Sequence, residues 1–212
     1  MIGNTKEKQE IDDGVVKYSL EFEQTNEIAI KECNKIEKIR ERLYSLGLIG
    51  AYDNGIGYGN ISLRYKDTNE FVITATQTGE LANLEPKDYS LVTDVNFDTF
   101  KTYAKGFSKP SSESITHAAI YTLDSNINAV IHVHNEKIWN FMLSNNYLST
   151  NDTPYGTPEM VEDINEMYKN INPVLNNAFV MKGHFEGVVT FGKNLKEAEK
   201  VLYEIIEKLL KS

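Results

Sequence analysis

The chain has 212 residues, 41% hydrophobic and 25% charged, a composition ordinary for a folded globular protein and long enough to bury one substantial core. No run approaches the roughly 18 consecutive apolar residues of a membrane span, and residues 1–13 are polar with no signal-like apolar stretch, so no membrane partner and a cytoplasmic location are expected. The net charge of -9, with no Lys/Arg cluster, argues against nucleic acid but not against a small anion, because a metal ion and oriented backbone N–H groups can make an acidic protein locally positive.

Residues 16–23 alternate Val16, Tyr18, Leu20 and Phe22 with polar side chains, the period of a half-buried strand, within an N-terminal extension over residues 1–26. The remainder, 27–212, reads as one compact domain. Ile36, Ile39, Leu43 and Leu46 recur at helical spacing over 27–46, and Gly47 is a natural stop; the one cysteine, Cys33, falls on the apolar side of this helix. A glycine-rich loop over 53–60 leads into a hairpin of strands 61–65 and 71–76, and two more strands, 90–95 and 99–104, flank a polar turn. After Gly106 and Pro110 a helix runs from Ser111 and Ser112, as N-cap and first-turn residues, to about Leu123. A strand at 128–133, helices at 136–143 and 158–168, strands at 178–181 and 188–191, and a final helix over 194–210 complete the pattern. Strands come in short-turn pairs with helices between groups of pairs, which fits an antiparallel or mixed sheet flanked by helices better than a doubly wound parallel one.

All four histidines lie between positions 117 and 184, and His132 and His134 are one residue apart in the apolar segment 129–135. Residues i and i+2 of a strand share a face, so both imidazoles project together while Ile131 and Val133 point to the other, core-facing side. Two rings on one face can grip one ion. A third ligand from elsewhere would close three corners of a tetrahedron and leave the fourth for water or substrate, and His184, at a glycine-flanked strand end, is the candidate. An isolated His-x-His is also compatible with ordinary hydrogen-bonded histidines on a partly exposed strand.

The segment Lys109-Pro-Ser-Ser-Glu113 is a proline-stiffened turn into a helix, where unpaired N–H groups and two hydroxyls suit a phosphate dianion; a plain N-cap with a dipole-favoured Glu113 would use the same residue types. Held near a metal, Glu113 is suited to moving protons. Gly57-Tyr-Gly-Asn60 and Thr76-Gln-Thr-Gly79 put small and polar residues at one end of the hairpin, for close approach to a ligand or for turn geometry alone.

In this order, Gly59-Asn-Ile-Ser62, Ile73-Thr74 with Thr78-Gly79, Lys109-Pro-Ser-Ser-Glu113 with His117, the strand ending His132-Val-His134, and Gly183-His184 resemble the class II aldolase and adducin family over roughly residues 27–210. The resemblance implies a three-layer α/β/α fold with a central, mostly antiparallel sheet flanked by helices. In the fuculose-phosphate aldolase branch the residues matching His132, His134 and His184 bind Zn2+, and that matching Glu113 is acid and base. Those matching Asn60, Thr78, Gly79, Ser111 and Ser112 hold the substrate phosphate. A metal-dependent lyase is thereby implied, an aldolase working on a small ketose phosphate through a metal-stabilised enediolate, as a homo-oligomer, usually a tetramer. Sugar-phosphate 4-epimerases of the family carry aspartate in place of Glu113, methylthioribulose-phosphate dehydratases share the glutamate, and the structural, adducin-like members lack the metal histidines.

The chain departs from the aldolases between His134 and His184, where it is shorter and lacks the stretch that supplies a catalytic tyrosine; Tyr155 and Tyr147 are the substitutes on offer. It also reads His184-Phe-Glu-Gly187 where the family has His-Gly, which brings Glu186 forward as a carboxylate that reaches the metal or acts as another base, or else as a solvated turn residue. His117 is assigned to packing or to support of the metal ligands.

Overall fold

A computed structural model describes residues 17–26, 30–66 and 68–212; Val16, the first turn of the expected helix at 27–29 and Asp67 in the hairpin turn lie outside them. The chain enters as strand β1 (Ser19–Gln24), passes through helix α1 (Ile30–Ser45) and a small ribbon of β2 (Gly50–Ala51) and β3 (Gly57–Tyr58), then runs through β4 (Asn60–Arg64), β5 (Phe71–Thr74), β6 (Tyr89–Asn96) and β7 (Lys101–Gly106). Helix α2 (Ser114–Leu123), strand β8 (Ala129–His134), helix α3 (Glu136–Ser144), strand β9 (Leu148–Ser149) and helix α4 (Pro158–Tyr168) follow. Strands β10 (Ala178–Val180) and β11 (Gly187–Gly192) precede the last helix, α5 (Leu195–Leu210). Among the described residues no helix is long and apolar enough to cross a membrane.

Nine strands form one sheet in the order β1-β7-β6-β5-β4-β8-β11-β10-β9. Every pairing is antiparallel except β1 with β7 and β9 with β10 at the two edges. Alternation of side chains sends Ile61, Leu63, Val72, Ile131, Val133 and Val188 to one face, where they pack with Ile36 and Leu43 of α1, Ile138 and Met142 of α3 and Leu202 and Ile205 of α5. Phe71, Ile73, Val92, Val130, Phe179 and Phe191 go to the other, against Ile115 and Ile120 of α2 and Met160 and Ile164 of α4. The fold is therefore three layers, α/β/α, as expected. Each fully buried Ile, Leu or Phe contributes about 1.5–3 kcal/mol, so the two cores carry the fold.

Local differences from the sequence reading have local causes. Helix α1 stops at Ser45, and Gly47 takes a left-handed φ of 67°, with the N–H groups of Gly47 and Leu48 donating to the carbonyls of Tyr44 and Leu43. This reversal carries Leu48 into the core and leaves Leu46 57% exposed, although Leu46 has the helical spacing. Helix α2 starts at Ser114 with Glu113 at its N-cap, so Ser111 and Ser112 precede the helix instead of opening it. The reason is strand-like pairing: Pro110 bridges Ala75, and the Ser111 N–H donates to the Thr74 carbonyl, so the chain stays extended through Ser111. Strand β1 extends the sheet, and the Tyr18 hydroxyl beside it donates to the Ser111 carbonyl at 2.8 Å.

Between β5 and β6 the loop is held by one buried cation. Arg40 of α1 donates to the carbonyls of Thr78, Leu81 and Ala82 at 3.0, 2.6 and 3.2 Å, and Glu37, one turn earlier, accepts from the Leu84 N–H and the Tyr89 hydroxyl. Removing the guanidinium strands three carbonyls and a partly buried carboxylate, so Arg40→Met is expected to cost about 3 kcal/mol or more in urea unfolding, with an unchanged m-value.

Candidate metal centre

Strand β8 lies between β4 and β11, with Asn60 and Val189 opposite His132 and Gly187 opposite His134. Its even-numbered residues, Val130, His132 and His134, face the α2/α4 layer, where Glu113 sits at the start of α2. The turn from β10 to β11 brings in His184, fixed by N–H bonds from His184 to the Met181 carbonyl and from Gly187 to the His184 carbonyl. Glycine is required beside the rings: a Cβ on Gly187 would lie 2.7 Å from His184 Cδ2 and 3.2 Å from His132 Cε1. At Gly59 it would lie 2.8 Å from Ile49 Cγ1, in a backbone with φ of 76°.

The structure brings His132, His134, His184 and Glu113 together, all buried, with their ligand atoms within 4.8 Å of one another. His132 Nε2 is 2.9 Å from His134 Nε2 and 2.9 Å from Glu113 Oε1, and His184 Nε2 is 3.5 Å from the same oxygen. The hydrogen bonds behind the rings assign their protons. His132 Nδ1 lies 3.2 Å from the Val188 carbonyl, which can only accept, so Nδ1 carries the proton. The Tyr52 hydroxyl donates to Glu186 Oε2 at 3.1 Å, so its oxygen accepts from His134 Nδ1 at 2.8 Å. Both Nε2 atoms are then bare lone pairs facing each other and a carboxylate oxygen. Such a convergence repels unless an added proton or a metal cation lies among the atoms, and three imidazoles with one carboxylate are a donor set that suits a divalent ion of the zinc class. The residues fit a metal.

Protons tune the cluster in the same sense. Burial acts to raise the Glu113 carboxyl, but when His132 and His184 carry a proton on Nε2 their charge and hydrogen bonds outweigh it and hold Glu113 well below the usual carboxylate range. Burial, then the like charges of His184 and His132, hold His134 well below the usual imidazole value and keep it neutral, as a ligand must be. His117, on α2, points elsewhere: Ser62 Oγ lies 2.8 Å from its Nδ1, and burial pushes its pKa down to about 3.

Beside the cluster, Asn60, Thr78, Gly79, Ser111 and Ser112 line one cavity that Glu113 and His134 share. The cavity is small, about 30 Å³, and lies between the two glycine loops. Asn60 Oδ1 and Glu113 Oε2 are buried with no hydrogen-bond partner among the described residues, the condition of polar atoms awaiting a ligand. Gly79 is glycine because a Cβ would fall on the Gly50 carbonyl oxygen and lie 2.7 Å from Gly57 Cα; close packing, not turn geometry, sets it. Of the two candidate tyrosines, Tyr155 is buried with its ring 4.7 Å from that of His184, whereas Tyr147 lies apart, beside Phe141 and Lys208. Glu186 is not among the converging ligands but stands behind Tyr52. Sequence reasoning missed Tyr52 and Tyr58, whose ring stacks 5.5 Å from that of His134; the Asp53-Asn-Gly55 turn between them was the available signal of a ribbon that brings their rings to 4.7 Å of each other.

With this architecture and donor set, the family description "Class II Aldolase and Adducin N-terminal domain" matches residues 41–211, and the chain belongs to that family. It is 30% identical over 172 residues to the 3-oxo-tetronate 4-phosphate decarboxylase of Escherichia coli O6:H1, covering 70% of this chain and 73% of that relative. Among solved structures the fold is similar to an L-fuculose 1-phosphate aldolase, with 18% identity, a TM-score of 0.65 and coverage of 87% and 85% of the two chains. It is similar as well to YgbL of Escherichia coli, a putative aldolase/epimerase/decarboxylase, with 24% identity, a TM-score of 0.62 and coverage of 84% and 86%.

The buried His117 gives the fold an acid limit. Its folded pKa, about 3, lies below the unfolded value of 6.5, so between these limits the unfolded chain binds the extra proton and stability falls as pH falls. The slope approaches about 1.4 kcal/mol per pH unit for this one group. Urea unfolding at stepped pH is expected to show a shallower acid loss for His117→Gln than for the wild type.

Proposed function

We propose that the chain is a metal-dependent carbon–carbon lyase acting on a small phosphorylated sugar-like substrate, with Zn2+ as its ion. The observation that carries this reading is the convergence of three imidazoles and Glu113 on a wall of the cavity lined by Asn60, Thr78, Gly79, Ser111 and Ser112. His132, His134 and His184 hold the ion through Nε2. When bound, the ion supplies a Lewis acid that polarises a substrate carbonyl and offsets negative charge developing on its oxygen. The Ser111 and Ser112 hydroxyls, the Asn60 side chain and the Thr78–Gly79 segment bind the phosphate and so orient the carbonyl end. Glu113 moves the proton: Oε1 is turned to the imidazoles, and Oε2, which has no hydrogen-bond partner, is the oxygen left for substrate.

The leaving fragment separates two forms of this reading. The aldolase expected from the sequence releases an aldehyde and needs a further group to take its hydroxyl proton. Loss of CO2 from a phosphorylated 3-oxo acid needs one proton delivered to the remaining carbon. Two observations favour the second form: the 30% identity to a decarboxylase of such a substrate, and Glu113 being the single carboxylate in the cluster among the described residues. A homotetramer, in which a neighbouring subunit could complete the site, belongs to the aldolase form.

The deciding experiment incubates zinc-loaded protein with ketose phosphates and phosphorylated 3-oxo acids and follows aldehyde, CO2, dehydration and epimerisation. Carbon–carbon cleavage is expected, reduced at least about 100-fold in Glu113→Gln and lost with unphosphorylated analogues. Turnover without any carbon–carbon cleavage, or none at all, would sink the reading. Metal analysis is expected to find zinc in the wild type and little in the double variant His132→Ala/His134→Ala; equal zinc in both would remove the ion from these residues.

A further inference from the structure

Glu186 stands at a costly place. Its φ is 67°, a left-handed conformation that a non-glycine residue adopts at the expense of strain. What the position gains is a double hold on the end of β8. The Glu186 carbonyl accepts from the Asn135 N–H at 3.0 Å, directly after His134, and the Glu186 carboxylate accepts the Tyr52 hydroxyl proton at 3.1 Å. Two residues earlier, the same turn delivers His184 to the cluster.

The chemistry of a phenol makes the carboxylate matter. A tyrosine hydroxyl has one proton and can donate in one direction only. With no acceptor on its far side, Tyr52 would be at liberty to donate to His134 Nδ1, which would shift the imidazole proton to Nε2 and cover the lone pair that faces the cluster. A carboxylate can only accept. It therefore commits the Tyr52 proton away from the ring and makes Tyr52 an acceptor for Nδ1–H. His132 obtains the same result from a backbone carbonyl, that of Val188, which cannot be removed by a side-chain change.

We infer that Tyr52 and Glu186 are positioning residues that act through His134, fixing its tautomer and ring orientation and thereby the affinity of the centre for a divalent cation. The inference rests on the metal-centre reading above and concerns cation affinity, not the reaction. Neither residue touches the ion or the reacting atoms; the hydroxyl is the link, and the charge behind it sets the direction of the chain of hydrogen bonds.

The test uses the full chain, with Zn2+ itself as probe. In the metal-free wild type, 15N NMR of the histidine rings is expected to find His134 protonated at Nδ1 and bare at Nε2. Chelator competition is expected to show zinc affinity lower by about 10- to 100-fold in Tyr52→Phe and to a similar extent in Glu186→Ala. Glu186→Gln, whose amide oxygen still accepts the phenol proton, is expected to stay within about three-fold of wild type, a rescue that a merely structural role would not produce. A wild-type His134 carrying its proton on Nε2 overturns the inference, and that measurement stands even if the variants fail to fold. Unchanged zinc affinity in folded Tyr52→Phe and Glu186→Ala overturns it as well. A protein that binds zinc but turns over no substrate overturns the reaction alone, whereas one that binds no zinc overturns both.

Discussion

Two imidazoles on one face of a strand that is covered on both faces are the constraint from which the rest of this fold follows. Strand β8 is buried from Ala129 to His134, so His132 and His134 cannot leave their ring nitrogens to water. An unsatisfied buried polar group costs roughly 1–3 kcal/mol, and each ring here has a partner supplied behind it. Val188 serves His132 through the sheet itself, and Tyr52 serves His134 from a ribbon outside the sheet. Once both Nδ1 protons are committed outward, the two lone pairs are turned inward, and the site becomes a place for a proton or a metal cation. The glycine at 187 follows from the same demand, because no side chain fits between its strand and these rings.

The half of the site proposed to take the phosphate is built by different means. Gly50, Gly57 and Gly79 pack backbone to backbone, and Arg40 grips the carbonyls of Thr78, Leu81 and Ala82 from behind, so a loop with little core of its own is held by one buried guanidinium. The serines arrive on a segment that pairs with the extension of β5. Loop and serines are thus tied to α1 and to the sheet, while the imidazoles belong to β8 and the β10–β11 turn. The cavity lies where the two systems meet.

The parts legible in the sequence were those with a short period or a chemical signature. Alternation marked β8 and placed Ile131 and Val133 opposite the histidines, and helical spacing with a following glycine marked α1. The order of His, Ser and Glu motifs marked the family. What escaped depended on contacts distant in sequence. Nothing local says that β1 pairs parallel with β7, that the extension of β5 holds Ser111 out of the helix, or that Leu48 and not Leu46 returns to the core. Tyr52 and Glu186 lie 134 positions apart, each in a turn without periodicity, and only the packing of the ribbon against the end of β8 brings them to one imidazole.

The sharing of residues between the two halves sets the scale of the substrate under the lyase reading. His134 and Glu113 belong both to the ion-binding cluster and to the cavity of Asn60, Thr78, Gly79, Ser111 and Ser112. The phosphate and the polarised carbonyl therefore sit within about one side chain of each other, which favours a short carbon skeleton and disfavours a long sugar. The protein carries a net charge of -9, so the attraction for such a dianion has to be local. It comes from the ion, from backbone N–H groups and from hydroxyl donors, not from the overall field. Under that reading, such a site would lose its anion affinity when the cation leaves, which would couple substrate binding to the Nε2 lone pairs behind which Val188, Tyr52 and Glu186 stand.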